Sequence, residues 1–448
     1  MPPLTYTDPY GLPVSCTSRT ALDHLARALA LLHRYQADPL VEIDAALAEA
    51  PDCVLGHAFR AALMVMSTER GLLPELRRSV AAADALCARA TEREWAHISA
   101  ARAWLDGDFA LAARRYGAIV ARWPRDLLAL QVAHQCDFFL GDREALRDRP
   151  KAALATWGPA EPGTGFIHGM LAFGLEECGD YAAAEEAGRR AVERDPRDAW
   201  AIHAVAHVME MQGRAQEGVA WLGTRVRDWA PDNMLAVHNW WHLALFHLEG
   251  GDQEKALEVF DRGVRRRTLA PAIELVDVSA MLWRFMLCGT DCGPRWAEAA
   301  ELWLAQEPGF YAFNDVHAVM ACLGAGRSAE ARRVIASMEA AALGEGTNAM
   351  MSREVGLPLA RGLAAFAEGR YAEATRLLGP LPPVAHRFGG SHAQRDVIAL
   401  TRIEAALRAG DHGLASRLAT ERQARKPESA LARAIILRSA RLQPVAAA

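Results

Sequence analysis

No stretch of the 448-residue chain alternates in the two-residue rhythm of a half-buried strand, and β-branched residues are sparse, which argues against a sheet-built fold. The eight cysteines (Cys16, Cys53, Cys87, Cys136, Cys178, Cys288, Cys292 and Cys322) contain no CxxC pair. That removes the usual zinc-ribbon and thioredoxin-like readings and suits a reducing compartment, so a cytoplasmic location is expected. No uninterrupted apolar run reaches membrane-spanning length, and the segment from Met1 to Asp8 has neither the basic start nor the apolar centre of a secretory signal. Basic stripes are missing too. The net charge is −5, and the short Arg265-Arg266-Arg267 run reads as the flank of a helix C-terminus, so nucleic acid is not expected as a partner. Nothing matches a nucleophile elbow, a P-loop or a dinucleotide fingerprint, and no cofactor is expected.

What remains is a helix-forming composition. Half of the residues are hydrophobic, and Ala, Leu, Arg and Glu dominate. Turn signals recur as Gly107-Asp, Gly141-Asp, Gly179-Asp, Gly213-Arg, Gly251-Asp, Gly326-Arg, Gly369-Arg and Gly410-Asp, the first five separated by 34 or 38 residues. Gly adopts the left-handed conformation that ends one helix, and the following residue starts the next. Pro-Asp-like starts such as Pro124-Arg-Asp126, Pro196-Arg-Asp198 and Pro231-Asp232 open new units, because Pro is tolerated in a first helical turn and Asp suits the positive end of the dipole. A period near 34 with Gly-Asp-Tyr-x-x-Ala, as at Gly179 to Ala183, is the tetratricopeptide pattern.

The expected fold is therefore an all-α, tetratricopeptide-repeat-like right-handed α-solenoid of about eight hairpins with atypical helical caps. Its expected parts are an N-terminal helical cap over 1–94, regular repeats over 95–265, an irregular helical insertion over 266–309 and C-terminal repeats over 310–448. Residues 343–352 and 379–391 read as loops, and the end from Leu442 to Ala448 as frayed.

Two segments stand out within the repeats. The block Ala199-Trp-Ala-Ile-His203-Ala-Val-Ala-His207-Val-Met-Glu210 is followed 35 residues later by Val237-His238-Asn-Trp-Trp241-His242, so each carries a His-x3-His pair. With Asn233-Met-Leu-Ala-Val ahead of it, this stretch resembles the tetratricopeptide repeat protein 38-like family. The resemblance implies an α-helical repeat fold but no catalytic residues that can be carried over.

Counting back from each turn Gly at helical periodicity puts His203, His207 and Glu210 on one face of the first helix of their hairpin, with His238, Trp241 and His242 on the matching face of the next. His97, His168 and His317 fall on or near the same face of their own hairpins. Three uses follow from such a face. His203, His207 and Glu210, at i, i+4 and i+7, have the composition of a two-His-one-carboxylate metal triad, completed by His238 and His242, but one helix supplying three ligands is awkward and the His-Glu-x-x-His motif is absent. Neutral imidazoles beside Glu176, Glu177, Glu210 or Asp315 have the makings of acid–base chemistry on a small polar substrate. The third use is the favoured one: a scaffold that binds a peptide, a protein or a small ligand in a His-rich concave groove, with no metal expected.

The residues marked for acid–base roles are thus His203, His207, Glu210, His238 and His242, and those for ligand contact His168, Glu176, Trp241, Asp315, His317 and Arg395. Trp200, Trp221, Trp240 and Trp241 are expected to pack between helices. Asn314, Asp315 and Ser391 are expected to cap helix starts, and Arg395 is a candidate to hold a carboxylate.

Overall fold

The computed structural model describes residues 6–442, all-α apart from a two-stranded antiparallel ribbon, Tyr6–Thr7 with Pro13–Val14. The stretch 443–448, for which fraying is expected, lies outside the described residues. None of the described helices is long and apolar enough to cross a membrane.

Each of the eight turn glycines read from the sequence has positive φ, between 66° and 88°. The residue after the Gly completes the turn. Asp108, Asp142, Asp252 and Asp411 each accept the backbone N–H three residues on, at 2.8–3.0 Å, capping the second helix of their hairpins. Asp126 and Asp198 do the same for the first helix of the following unit. A Gly-Asp dipeptide thus ends one helix and starts the next, which keeps the connections to two or three residues and forces neighbouring helices antiparallel. Further pairs flank the expected ones: Arg19–Arg34 with Pro39–Glu49, Val54–Val65 with Leu73–Ala85, and Ala272–Leu287 with Arg295–Leu304, the last inside 266–309.

Small residues set how closely the helices approach. A Cβ on Gly174 would lie 2.3–2.4 Å from the backbone of Leu146 and Arg147, so helix Thr164–Glu177 crosses helix Arg143–Leu154 in near backbone contact. The Arg265 side chain grips Glu298 through two hydrogen bonds of 2.6 and 2.7 Å, so the Arg run ties two helical pairs together. In the expected loop 343–352, residues from Thr347 onward are helical and continue through the π-helical turn Ser352–Gly356. Ser391 forms a capping box with Gln394. Asn314 and Asp315, by contrast, lie inside the first turn of a helix whose N-cap is Tyr311. Asp315 there accepts the Gly309 N–H at 2.9 Å.

The chain packs as two compact units: Met1–Val205 with Asp228–Leu235, and Ala206–Arg227 with Ala236–Ala448. The division falls inside helix Ala199–Gln212, between His203 and His207. In the first unit, Arg93 holds the N-terminal ribbon by hydrogen bonds to the Pro13 carbonyl and to Asp126. In the second, the late helix His392–Arg408 packs on Ala272–Leu287, and Ala430–Leu442 packs on Ala236–Glu249.

Candidate functional site

The second unit brings three imidazoles together. His207 comes from helix Ala199–Gln212, and His238 and His242 from successive turns of helix Ala236–Glu249. Ring centroids are 4.5 Å apart for His207 and His242, 4.9 Å for His238 and His242, and 6.4 Å for His207 and His238. Each offers a ring nitrogen within 4.8 Å of the others; His207 and His242 are fully buried and His238 is partly so.

Helix Ala272–Leu287 orients one member of the cluster. The Asp277 carboxylate, 1% exposed, lies 2.8 and 3.0 Å from His238 Nδ1. A carboxylate at Nδ1 takes the N–H there and leaves Nε2 with its lone pair. Trp241 lies parallel to the His238 ring (5.3 Å, 9°) and edge-on to His242, with the buried Arg284 guanidinium 5.3 Å from its centre. Arg284 donates to the carbonyls of Ala280, Ala393 and Gln394, and burial pulls its pKa down. Between the two histidines, Asn239 is wholly buried, and its side-chain amide meets no hydrogen-bond partner among the described residues.

Glu210, one turn beyond His207, is engaged elsewhere. Its Oε1 accepts from Lys426 Nζ at 2.5 Å, and both side chains are buried. Glu249, the last residue of the neighbouring helix, is paired with Arg422 and Ser429, while Arg422 also grips Asp396. Burial penalises every charge here, but mutual attraction wins. The Asp396 and Glu249 carboxyls are held below their usual range and Lys426 above its own.

Beside this network lies a cavity of about 650 Å³. Five of its lining side chains are Arg or Lys (Arg395, Arg402, Arg422, Arg425 and Lys426), against the carboxylates Asp396 and Glu421. Arg422 and Lys426 are taken up by the buried acids. Arg395 donates to the carbonyls of Gly389 and Gly390. Arg402 and Arg425 meet no carboxylate among the described residues, and the buried Arg402 Nε has no hydrogen-bond acceptor.

No family model matches the chain. Among solved structures it is similar to the human IFIT1 dimer with m7Gppp-AAAA, at 14% identity over 98% of this chain and 96% of that one, with a TM-score of 0.43. It is also similar to yeast Tom70, at 14% identity over 94% and 95% of the two chains, with a TM-score of 0.30. The tetratricopeptide-like hairpin fold rests on the turns and caps described above, and likenesses this distant carry nothing about ligands.

Each of the other residues marked from the sequence has its own packing within its unit. In the first unit, His203 packs on Phe173 and Trp200 (5.6 and 4.9 Å). His168 is half-buried, its pKa lowered by burial and by Arg194 and Arg190, and Glu176 is fully buried. His317, in the second unit, lies with Nδ1 2.7 Å from the Phe313 carbonyl, and burial brings its pKa down to about 4. His97 Nε2 is 2.8 Å from Asp126, which also holds Arg93, so the ring is engaged within the core. Trp200, Trp221, Trp240 and Trp241 are all buried between helices, as expected.

Several groups escaped sequence reasoning. Asp277 sits in the stretch read as an irregular insertion, and Arg422 and Lys426 lie 173 and 216 residues from Glu249 and Glu210 without any local signal. His134, in the first unit, is enclosed by Phe173 and Trp200 with no hydrogen bond among the described residues, and burial lowers its pKa to about 3.

Proposed function

We propose that the protein is a helical-repeat scaffold whose second unit binds a small anionic ligand, or the acidic end of a peptide, in the arginine-lined cavity. One observation carries this reading: Arg402 and Arg425 face a cavity of about 650 Å³ without a carboxylate partner among the described residues. That volume is within the span of small-molecule sites, roughly 300–1,000 Å³. Guanidinium groups are the side chains best matched to carboxylate and phosphate oxygens. Arg395, marked from the sequence as a carboxylate holder, lines the same cavity. Lys426 connects the cavity wall to Glu210 at the end of the His-bearing helix. The broader expectation of a His-rich groove that receives a peptide, protein or small ligand belongs to this reading, as do the resemblance to the tetratricopeptide repeat protein 38-like family and a cytoplasmic location, which eight free thiols suit. Neither nucleic acid nor membrane enters it.

The test is calorimetric titration of the full chain with inorganic phosphate, citrate and a hexaglutamate peptide. At least one should bind, and Arg402→Ala and Arg425→Ala should each weaken it by about tenfold, the equivalent of one charge-assisted hydrogen bond of about 1.5 kcal/mol. No heat from any of the three at millimolar concentration sinks the reading.

A second reading, an enzyme acting on a small polar substrate, is favoured by the His238–Asp277 pair, since a carboxylate-oriented imidazole is a ready general base. Its mark would be an activity lost in His238→Gln and sharply reduced in Asp277→Asn. Retention of any discovered activity in both variants would remove it.

A further inference from the structure

We infer that His207, His238 and His242 form a binding site for a divalent transition metal of the zinc class, with three imidazole nitrogens as ligands and a fourth position open to water or an anion. This goes beyond the anion-binding reading, because it involves none of the cavity's arginines.

The spacing comes first. A tetrahedral zinc site with bonds of about 2.0–2.1 Å sets neighbouring donor nitrogens about 3.3 Å apart. The three side chains offer nitrogens within 4.8 Å of one another, a gap closed by small rotations about χ1 and χ2. His238 and His242, at i and i+4 of a single helix, present their rings on one face, and the adjoining helix brings His207 to the same point.

The second support lies in the partner behind the ring. Asp277 grips His238 at Nδ1, which leaves Nε2 as the potential ligand atom with its lone pair. A carboxylate behind a histidine fixes tautomer and orientation, makes the imidazole a better donor and offsets part of the metal's charge. Nothing in helix packing requires an acid at 277, where the rest of that helix is mostly apolar, whereas a His ligand does.

The third support is the enclosure. His207 and His242 are fully buried and Trp241 is packed against His238 and His242, so the rings cannot swing out to solvent. Three imidazoles brought together in the interior select a nitrogen-seeking ion such as Zn²⁺ or Co²⁺ over an oxygen-seeking one such as Mg²⁺.

The experiment uses the full chain, purified without chelator for elemental analysis, then stripped and titrated with zinc chloride and, separately, with cobalt chloride. One equivalent should bind, and cobalt should give the intense visible bands of a four-coordinate nitrogen site. His207→Ala and His242→Ala should abolish uptake at micromolar metal. Asp277→Asn should keep the stoichiometry and weaken binding by about 10–100-fold. His317→Asn, a buried histidine of the same unit whose Nδ1 faces a backbone carbonyl, should bind as the parent does. Arg402→Ala should likewise bind metal normally, which separates this site from the anion cavity. If the stripped parent takes up neither metal at micromolar concentration, the proposal falls. It also falls if a folded His238→Ala/His242→Ala double variant binds as the parent does. Should those variants fail to fold, the parent titration and Asp277→Asn still decide it, because unchanged affinity in Asp277→Asn contradicts the role given to that carboxylate.

Discussion

The contact between Lys426 and Glu210 lends itself to a quantitative test because the two partners are unequally supported. Lys426 Nζ lies 2.5 Å from Glu210 and also 3.9 Å from both Glu249 and Asp396, whereas Glu210 has one ion-pair partner and a second carboxylate oxygen with no hydrogen-bond partner among the described residues. Removing one member of a buried pair costs about 3–5 kcal/mol, chiefly because the other is left as an uncompensated charge away from water. Lys426→Met keeps the aliphatic stem and leaves Glu210 in that position, so it should cost about 3–5 kcal/mol. Glu210→Gln leaves Lys426 with two carboxylates nearby and should cost less, about 1–3 kcal/mol, the price of a single lost charged hydrogen bond. Glu210→Leu combined with Lys426→Met removes both charges and should be less damaging than Lys426→Met alone, a coupling of about 2–3 kcal/mol. Urea denaturation followed by far-UV circular dichroism, with equal m-values checked, measures all of these. If Lys426→Met costs under about 1 kcal/mol, or Glu210→Gln costs more than Lys426→Met, the pair is solvated and this account of the interior is wrong.

Three further expectations concern the packing. His134 has a folded pKa near 3 against 6.5 for a free imidazole, so its contribution to stability is complete above pH 6.5 and is lost as pH falls from there towards 3. His134→Leu removes that loss. The variant should gain on the parent by about 2 kcal/mol between pH 7.5 and pH 5 in thermal melts, and a gap that narrows on acidification refutes the assignment. Gly174→Ala should destabilise by about 1–3 kcal/mol despite the better helix propensity of Ala, because the added methyl meets the Leu146–Arg147 backbone, which cannot move aside as a side chain does. Gly223→Ala, where a Cβ meets nothing within 4 Å, should be neutral or slightly stabilising in the same melts; equal losses at the two positions would contradict the close crossing.

Much of the fold was legible because its determinants are local. A Gly with positive φ followed by Asp at an N-cap is a four-residue event, and helical periodicity then states which residues share a face. The same periodicity puts His207, His238 and His242 on matching faces of adjoining helices. The same reasoning gave Ser391 its cap correctly and Asn314 wrongly, since the helix that holds Asn314 starts earlier, at Tyr311, where no cap side chain announces it.

Periodicity names a face but not what covers it. Glu210 reads from the sequence as a free acid–base partner, and tertiary structure places it on Lys426, 216 residues away. Asp277, 39 residues beyond His238, lies on a helix whose phase relative to the cluster depends on how successive hairpins stack. Arg402 and Arg425 look like ordinary surface arginines until folding leaves them facing a cavity together. The sequence by itself therefore determined the hairpins, their turns and the histidine-bearing face, because each depends on hydrogen bonds and side chains within a few residues. Only the tertiary structure decided which of those polar groups are neutralised and which are left facing a site, because charge compensation in a buried interior depends on distance in space and is indifferent to separation along the chain.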